Sequence, residues 1–488
     1  MKDLNRNTIS NTKLSPIKVV QFGEGNFLRA FVDFAFHTLN EVLGFNAGIA
    51  VVQPIEEGMV PLLNTQDGLY TLFTKGIKNG KETQEKVLIS NIVKGVNPYL
   101  HFEEYLELAK EEELEFVISN TTEAGISYDK GDTLQMSPPN SFPAKLTRFL
   151  YERYKHYKGN ENKGLTIIPC ELINYNADTL KRIILDYISL WELSEGFKNW
   201  IIDACSFHNT LVDRIVPGYP KDQIEIYNSQ LEYRDQLIVS AETFFLWVIE
   251  GNSSLKEKLP FHKTDLDVRI VGDLQPYRTR KVRILNGAHT AMVPFSILYG
   301  NETVKETIDK PLTGSFVHSL IFDEVIPTLD MEREELETFA NAVFDRFKNP
   351  FIRHQLSSIA LNTVSKFKVR VLPSLLKYVH LKNELPVRTV FSFACLIRFY
   401  KGSWKGKELP INDDDTIITY FKELWQLEDL NQIVEHVLGN VSFWETDLNK
   451  VQGLSKAVVI ALECLEKEGV ENGYKNYSKK LDTKRHAT

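Results

Sequence analysis

The stretch Ile17-Lys18-Val19-Val20-Gln21-Phe22-Gly23-Glu24-Gly25-Asn26-Phe27-Leu28-Arg29-Ala30 decides the fold. Its first six residues are rich in β-branched and aromatic side chains and read as a short strand. Two glycines one residue apart follow; they permit a tight turn and let backbone N–H groups approach a pyrophosphate at the next helix's N-terminus. From Asn26 to Leu43 the apolar residues recur at helical spacing. The third glycine of the G-x-G-x-x-G pattern is missing, with Leu28 in its place. A lone GxG is a weak signal, but one set between a strand and a helix at the first crossover reads as a dinucleotide-binding loop. The candidate cofactor segment is therefore Val19 through Ala30. Arg29 reads either as a ligand for cofactor phosphates or substrate, or as an ordinary solvated helix arginine.

Working outward, Ala47–Gln53, Val87–Val93, Leu114–Ser119 and Leu165–Cys170 read as further strands, and Trp200–Phe207 and Gln223–Tyr227 as two more. Helical spacing fills the stretches around His101–Glu111, Phe142–Tyr157 and Ala177–Leu193. Strands alternating with helices imply a Rossmann-like, doubly wound parallel sheet. After about Gly272 the strand-like runs vanish and long amphipathic stretches take over. The expected organisation is an α/β NAD-binding domain over 1–272 and a mostly α-helical substrate and catalytic domain over 273–488. The second strand ends at Gln53, where a carboxylate usually holds the adenosine ribose of NAD, and Glu56 and Glu57 lie just beyond. No Arg or Lys falls between Ala47 and Pro61, so a local clamp for the 2′-phosphate of NADP is missing and NAD(H) is the expected cofactor.

Composition narrows the function. At 488 residues, 43% hydrophobic and 25% charged, the chain is an ordinary globular protein long enough for two domains. A net charge of -8 argues against nucleic-acid binding and leaves a small-molecule substrate as the expected partner. Cys170, Cys205, Cys395 and Cys464 form no CxxC pair, which suits reduced thiols and gives no metal site. Met1–Pro16 lacks the apolar core of a signal peptide and no run approaches membrane-spanning length, so a cytoplasmic location away from membranes is expected.

The chemistry concentrates in Lys281-Val282-Arg283-Ile284-Leu285-Asn286-Gly287-Ala288-His289. On an α-helix Lys281, His289 and Asn286 fall at about 0°, 80° and 140°, on one face. Such a trio suits a carbonyl: a lysine to exchange the proton, an amide to hold the oxyanion, an imidazole to orient a hydroxyl. Spacing alone fits surface or packing residues equally well. The pattern K-x4-N-G-x-H, however, resembles that of the polyol-specific long-chain dehydrogenase/reductase family, also called the mannitol dehydrogenase family. A second signature, F-x2-T-x-V-D-R-I-x-P, is met by Phe207, Thr210, Val212, Asp213, Arg214, Ile215 and Pro217. Gln66-Asp67-Gly68-Leu69-Tyr70 and Thr122-Glu123-x-Gly125 also look like family features.

The resemblance implies a metal-independent, NAD-dependent dehydrogenase with Lys281 as acid/base, Asn286 at the oxyanion and His289 on a hydroxyl. It implies a second oxyanion amide from the loop Pro169–Ala177, at Asn176, a residue that also reads as a helix cap. In the helical half, Ser365-Lys366-Phe367-Lys368-Val369-Arg370-Val371 falls where relatives hold polar substrate with basic residues. Lys366 and Arg370, with Asp213, are the substrate candidates, against a solvated lysine face and an architectural aspartate. Read as an extended segment, 366, 368 and 370 share one face. Within the family, Phe22–Phe31 is similar to the branch acting on D-tagaturonate and D-altronate; fructuronate/mannonate and fructose/mannitol are the alternatives.

Overall fold

The computed structural model describes residues 1–9, 14–122 and 124–485, and the chain divides into two compact units. The first comprises Met1–Gly76 and Glu82–Leu274, the second Ile77–Lys81 and Gln275–Thr488.

The first unit is built on six parallel strands: β1 (Ile17–Phe22), β2 (Gly48–Val52), β3 (Ile92–Val96), β4 (Phe116–Ser119), β5 (Thr166–Pro169) and β6 (Ser206–Phe207). Their order in the sheet is β3-β2-β1-β4-β5-β6, the doubly wound order that leaves a switch point between β1 and β4. Alternate residues of each strand feed two separate cores. Val19, Ile49, Val51 and Ile118 join one, together with Leu28, Phe31, Val32 and Phe36 of helix α1 (Asn26–Leu43). Val20, Phe22, Ala50 and Val117 join the other, with α2 (Phe142–His156) and α3 (Asn176–Leu190). Both faces are therefore covered, which is why the strands carry so few outward polar residues.

Three of the expected strands differ. Trp200–Phe207 is mostly a helix, Glu195–Asp203, because Ser194 caps it by accepting from Phe197 N (3.3 Å) and Phe197, Trp200 and Ile201 are buried at helical spacing. Gln223–Tyr227 is likewise largely helical, over Ile224–Asn228, with Tyr227 turned inward. Val87–Val93 breaks at Ser90-Asn91 into the end of the strand Lys81–Ile89, which belongs to another sheet, and the start of β3. Asn91 makes that corner by donating to the carbonyl of Asp33 (2.9 Å) while its own carbonyl accepts from Ile49 N (2.9 Å).

A smaller sheet of β7 (Thr210–Asp213), β8 (Leu246–Glu250) and β9 (Val268–Val271) completes the region carrying the second signature. Among the described residues, the second unit from Gln275 on is helical apart from a short hairpin, Ser403–Trp404 with Lys407–Glu408. No helix among the described residues is long and apolar enough to cross a membrane.

Candidate functional site

In the first unit, the GxG loop lies at the sheet's switch point. Gly23 N donates to the carbonyl of Val52 at the end of β2 (3.0 Å), and Asn120 N, just past β4, donates to the carbonyl of Phe22 (3.1 Å). Gly23 has φ +121°, and a Cβ there would stand 2.9 Å from Leu28 Cδ1 and 3.0 Å from the Asn120 carbonyl oxygen, so only glycine fits. Leu28 thus fills the strand-to-helix gap that a third glycine would leave open. Gly25 is the N-cap of α1, with nothing within 4 Å of its Cβ position; no side chain caps that end and no acidic residue sits in its first turn. Free N–H groups, the positive end of an 18-residue helix and open space above Gly25 fit a pyrophosphate. Val19, Val20, Gln21 and Phe22 are buried in the strand and support the loop from below. Phe27 stacks on Phe31, and the Ala30 carbonyl accepts from Arg214 (2.6 Å).

Arg29 is neither a ligand nor a solvated residue. It is 1% exposed and its guanidinium donates to the carbonyls of Glu24 (3.1 Å) and Leu237 (2.6 Å) and to Asn26 Oδ1 (2.8 Å), over the face of Tyr70. Each of the three nitrogens donates once, so the side chain braces the loop from behind. Gln53, at the ribose position, is folded into its own loop: it donates to the carbonyls of Ile55 and Glu56 (2.9 and 2.8 Å) and accepts from Val60 N (3.3 Å). Glu24 accepts from Met59 N (3.3 Å) in the same loop, while Glu56 and Glu57 are exposed.

The other family features of this unit are architectural. Gln66 donates to Asp235 Oδ1 (2.9 Å), and Asp235 Oδ2 accepts from Thr71 N (2.6 Å), so Gln66–Tyr70 is a knot rather than a binding motif. Arg214 donates to Glu242 and Ala30 carbonyls, tying the VDR segment to α1. Asp213 is 6% exposed at the end of β7, paired with Leu246, which sets it among buried strand residues rather than on a ligand-facing surface. Of the Thr122-Glu123-x-Gly125 turn, Glu123 lies outside the described residues.

Asn176 is corrected most plainly. It is fully buried, its amide nitrogen donates to the Pro169 and Glu171 carbonyls and to Thr210 Oγ1 (2.9, 3.1 and 3.1 Å), and its oxygen accepts from Ala177 N and Thr210 N (both 3.0 Å). It opens α3 and locks the β5 loop to β7, with no N–H left to turn toward an oxyanion. Sequence reading passed over its neighbour Glu171, a buried carboxylate that accepts from Ser119 Oγ, Thr121 N and Thr121 Oγ1 (each 3.0 Å) and binds the carboxyl ends of β4 and β5 together. Burial raises its pKa.

In the second unit, Lys281–Asn286 form a π-helical turn that runs into α4 (Gly287–Tyr299). Hydrogen bonding from residue i to i+5 brings Asn286 round the helix closer to Lys281 than an α-helix's 140° would allow. Lys281, Asn286 and His289 are half-exposed, while Ile284, Leu285, Gly287, Ala288 and Thr290 are buried. Val282 and Arg283 are half-exposed as well, and the Nε2 of His289 is itself buried. The Asn286 side-chain amide makes no hydrogen bond to any described residue; the backbone carbonyl of Asn286 accepts from Thr290 Oγ1 (3.0 Å). The ring of His289 packs against Phe347 (4.6 Å) and against His354 (5.0 Å, near-perpendicular).

The basic segment is not extended. It is helix α5 (Thr363–Arg370), held by burial of Val364 and Phe367 on one side while Val369 points outward, 56% exposed. Helical spacing puts Lys366 and Arg370 on one face and turns Lys368 away, into an ion pair with Glu445 (3.0 Å). The end of α5 lies against the start of α4: a Cβ on Gly287 would stand 3.1 Å from the Arg370 carbonyl oxygen, and Arg370 Nη1 lies 3.5 Å from Thr290 Oγ1. Lys366 Nζ donates to the Ile359 carbonyl (3.1 Å). Burial lowers the pKa of both cations, and Arg370 adds to the lowering at Lys366.

The chain belongs to the mannitol dehydrogenase family: its Rossmann domain matches over residues 17–263 and its C-terminal domain over 273–466. The altronate oxidoreductase of Bacillus subtilis (strain 168) is 46% identical over 479 residues, 98% of each chain. That of Pectobacterium carotovorum subsp. carotovorum (strain PC1) is 45% identical, over 98% of this chain and all of the other. The fold is shared with D-sorbitol dehydrogenase in substrate-free form (TM-score 0.79, 21% identity, 97% of this chain and 100% of that one). It is shared too with the ternary complex of Pseudomonas fluorescens mannitol 2-dehydrogenase with NAD and D-mannitol (TM-score 0.64, 22% identity, 98% and 100%).

Proposed function

We propose that this chain is an NAD(H)-dependent oxidoreductase interconverting D-tagaturonate and D-altronate. The observation that carries the substrate class is the pairing of Lys366 and Arg370 on one face of α5, packed against the helix that bears Asn286 and His289. A carboxylate brought out of water loses several kcal/mol unless it meets a cation. The altronate oxidoreductases similar over nearly the whole chain point the same way.

The GxG loop and the N-terminus of α1 would hold the pyrophosphate, and bound NADH would supply the hydride. The loop after β2 offers Glu56 and Glu57 and no cation, which favours NAD(H) over its phosphorylated form. On the reduction side, Lys281 gives its proton to the substrate oxygen as charge develops there, and the free amide of Asn286 donates to that oxygen. His289 orients the hydroxyl next to the carbonyl. Arg370 and Lys366 hold the carboxylate at the far end of the chain, and so fix which carbon faces the lysine.

NADH oxidation measured with tagaturonate, fructuronate and fructose tests the reading. Tagaturonate should have the highest kcat/KM. An enzyme that turns over fructose as well as either acid would overturn the sugar-acid assignment.

A further inference from the structure

His354 lies far along the chain from the catalytic pattern, in the loop between Asn349 and the short helix Leu356–Ile359. Its backbone is fixed at both groups: His354 N donates to the Ile352 carbonyl (3.1 Å), and its carbonyl accepts from Val304 N (3.0 Å). Its ring is half-buried and stands near-perpendicular to His289, with centroids 5.0 Å apart. Among the described residues neither ring nitrogen of His354 has a hydrogen-bond partner, so a rigidly placed imidazole presents unused polar atoms beside the one that orients a substrate hydroxyl. Burial, with Arg346 nearby, lowers its pKa. A neutral imidazole carries one donor and one acceptor, the complement of a hydroxyl rather than of a carboxylate.

The substrate's geometry says which hydroxyl. In tagaturonate the carbonyl is followed, toward the carboxylate, by one hydroxyl-bearing carbon and then by a second. That second carbon is the only one at which tagaturonate and fructuronate differ in configuration. With the carbonyl at Lys281 and Asn286 and the first hydroxyl at His289, the imidazole packed on His289 is that of His354. The short helix after it ends at Ile359, whose carbonyl anchors the ammonium of Lys366, one of the carboxylate-binding pair. The order of side chains thus follows the order of groups on the substrate.

We infer that His354 is a specificity-determining residue, binding the hydroxyl whose configuration separates tagaturonate from fructuronate. This rests on the hexuronate reading above. A site built to hydrogen-bond a hydroxyl discriminates strongly against a ligand that does not present it, because its polar atoms are left unsatisfied.

The test is His354→Phe, which keeps a ring against His289 and removes both nitrogens, with His354→Asn as a smaller polar variant. Purified wild type and variants are assayed with NADH and each epimer, alongside NADH binding and thermal unfolding. His354→Phe should lower kcat/KM for tagaturonate by about 10- to 100-fold. Fructuronate should change far less, so the epimer preference collapses, and His354→Asn should recover part of it. Unchanged NADH affinity separates this from a disturbed fold. Equal losses on both epimers, or an intact preference in both variants, would overturn the assignment of His354. If the wild type uses neither acid, the hexuronate reading itself fails and this inference with it.

Discussion

Gly287, the glycine of the K-x4-N-G-x-H pattern, tests whether the packing of α5 on α4 sets the acid-binding residues. A Cβ at this position would stand 3.1 Å from the Arg370 carbonyl oxygen and 3.4 Å from that of Val282. The second is an ordinary contact, but the first is too close by a few tenths of an ångström, so Gly287→Ala must push the end of α5 outward. Two opposed terms decide stability. Alanine gains about 1 kcal/mol over glycine within a helix, and a tight insertion into a packed contact costs about 1–3 kcal/mol. The net loss should be modest, about 0–2 kcal/mol. The functional effect should be larger, because the element that yields carries Lys366 and Arg370, and sub-ångström misplacement of positioning groups is felt strongly in catalysis. KM for tagaturonate should rise about 10-fold or more, with a smaller change for fructose, which has no carboxylate to misplace. Thermal unfolding and steady-state kinetics on both substrates provide the readout. A variant that keeps the wild-type KM for the acid, or one whose losses on acid and neutral ketose are equal, would refute the idea that this contact positions the cations.

Lys281→Ala should cut turnover by about 10²–10⁴-fold while NADH binding measured by fluorescence titration stays nearly intact; activity within a few-fold of wild type would remove the lysine from the acid/base role. Lys366→Ala and Arg370→Ala should each raise KM for tagaturonate, and the double variant should lose the preference for acid over neutral ketose, read as a ratio of kcat/KM values. Arg29→Met should lower the unfolding temperature markedly, since it removes three hydrogen bonds in a buried network; a change confined to the KM for tagaturonate would instead restore Arg29 as the carboxylate ligand. Asp33, fully buried beside Tyr70, has its pKa raised by burial from 3.8 to about 7. Between those values the folded protein holds a proton that the unfolded chain has released, so its contribution to stability falls as pH rises through that window. Asp33→Asn removes this dependence, and chemical denaturation at several pH values should show the variant gaining on wild type from pH 4 to 7, by about 4 kcal/mol at most.

Where local chemistry and tertiary packing agree, the sequence is easy to read. Helix α1 begins at the residue after Gly25 and stops before Gly44, whose φ of +62° ends it, and the bounds read from spacing coincide with those in the structure. The lysine, asparagine and histidine of the pattern are each half-exposed. What the spacing could not reveal was the π-turn that brings the first two closer, since nothing in Lys281–Asn286 marks a change from i+4 to i+5 bonding. The basic segment misleads for a different reason. Its polar and apolar residues alternate like a strand's, yet burial of Val364 and Phe367, three apart, outweighs the alternation and leaves Val369 in solvent. Glu195–Asp203 was masked in the same way by its β-branched and aromatic residues. His354 carried no local signal; it becomes meaningful only through the ring against which the fold sets it.

The nominated cations also show how a structure can narrow a charge argument that a sequence leaves broad. A residue that binds a substrate carboxylate has to be within reach and free to exchange its present partner. Arg29 fails on both counts, being buried and held by three hydrogen bonds within the first unit. Lys368 already has a carboxylate, that of Glu445. Lys366 and Arg370 differ: each is half-exposed, and each rests on a neutral oxygen, the Ile359 carbonyl or, at 3.5 Å, the Thr290 hydroxyl. Trading a neutral acceptor for a carboxylate strengthens the hydrogen bond. The anion's charge also opposes the effects of burial and of Arg370 that lower the pKa of Lys366. These two cations therefore gain by meeting an anion, whereas Lys368 would have to give up a carboxylate and Arg29 a buried network of hydrogen bonds.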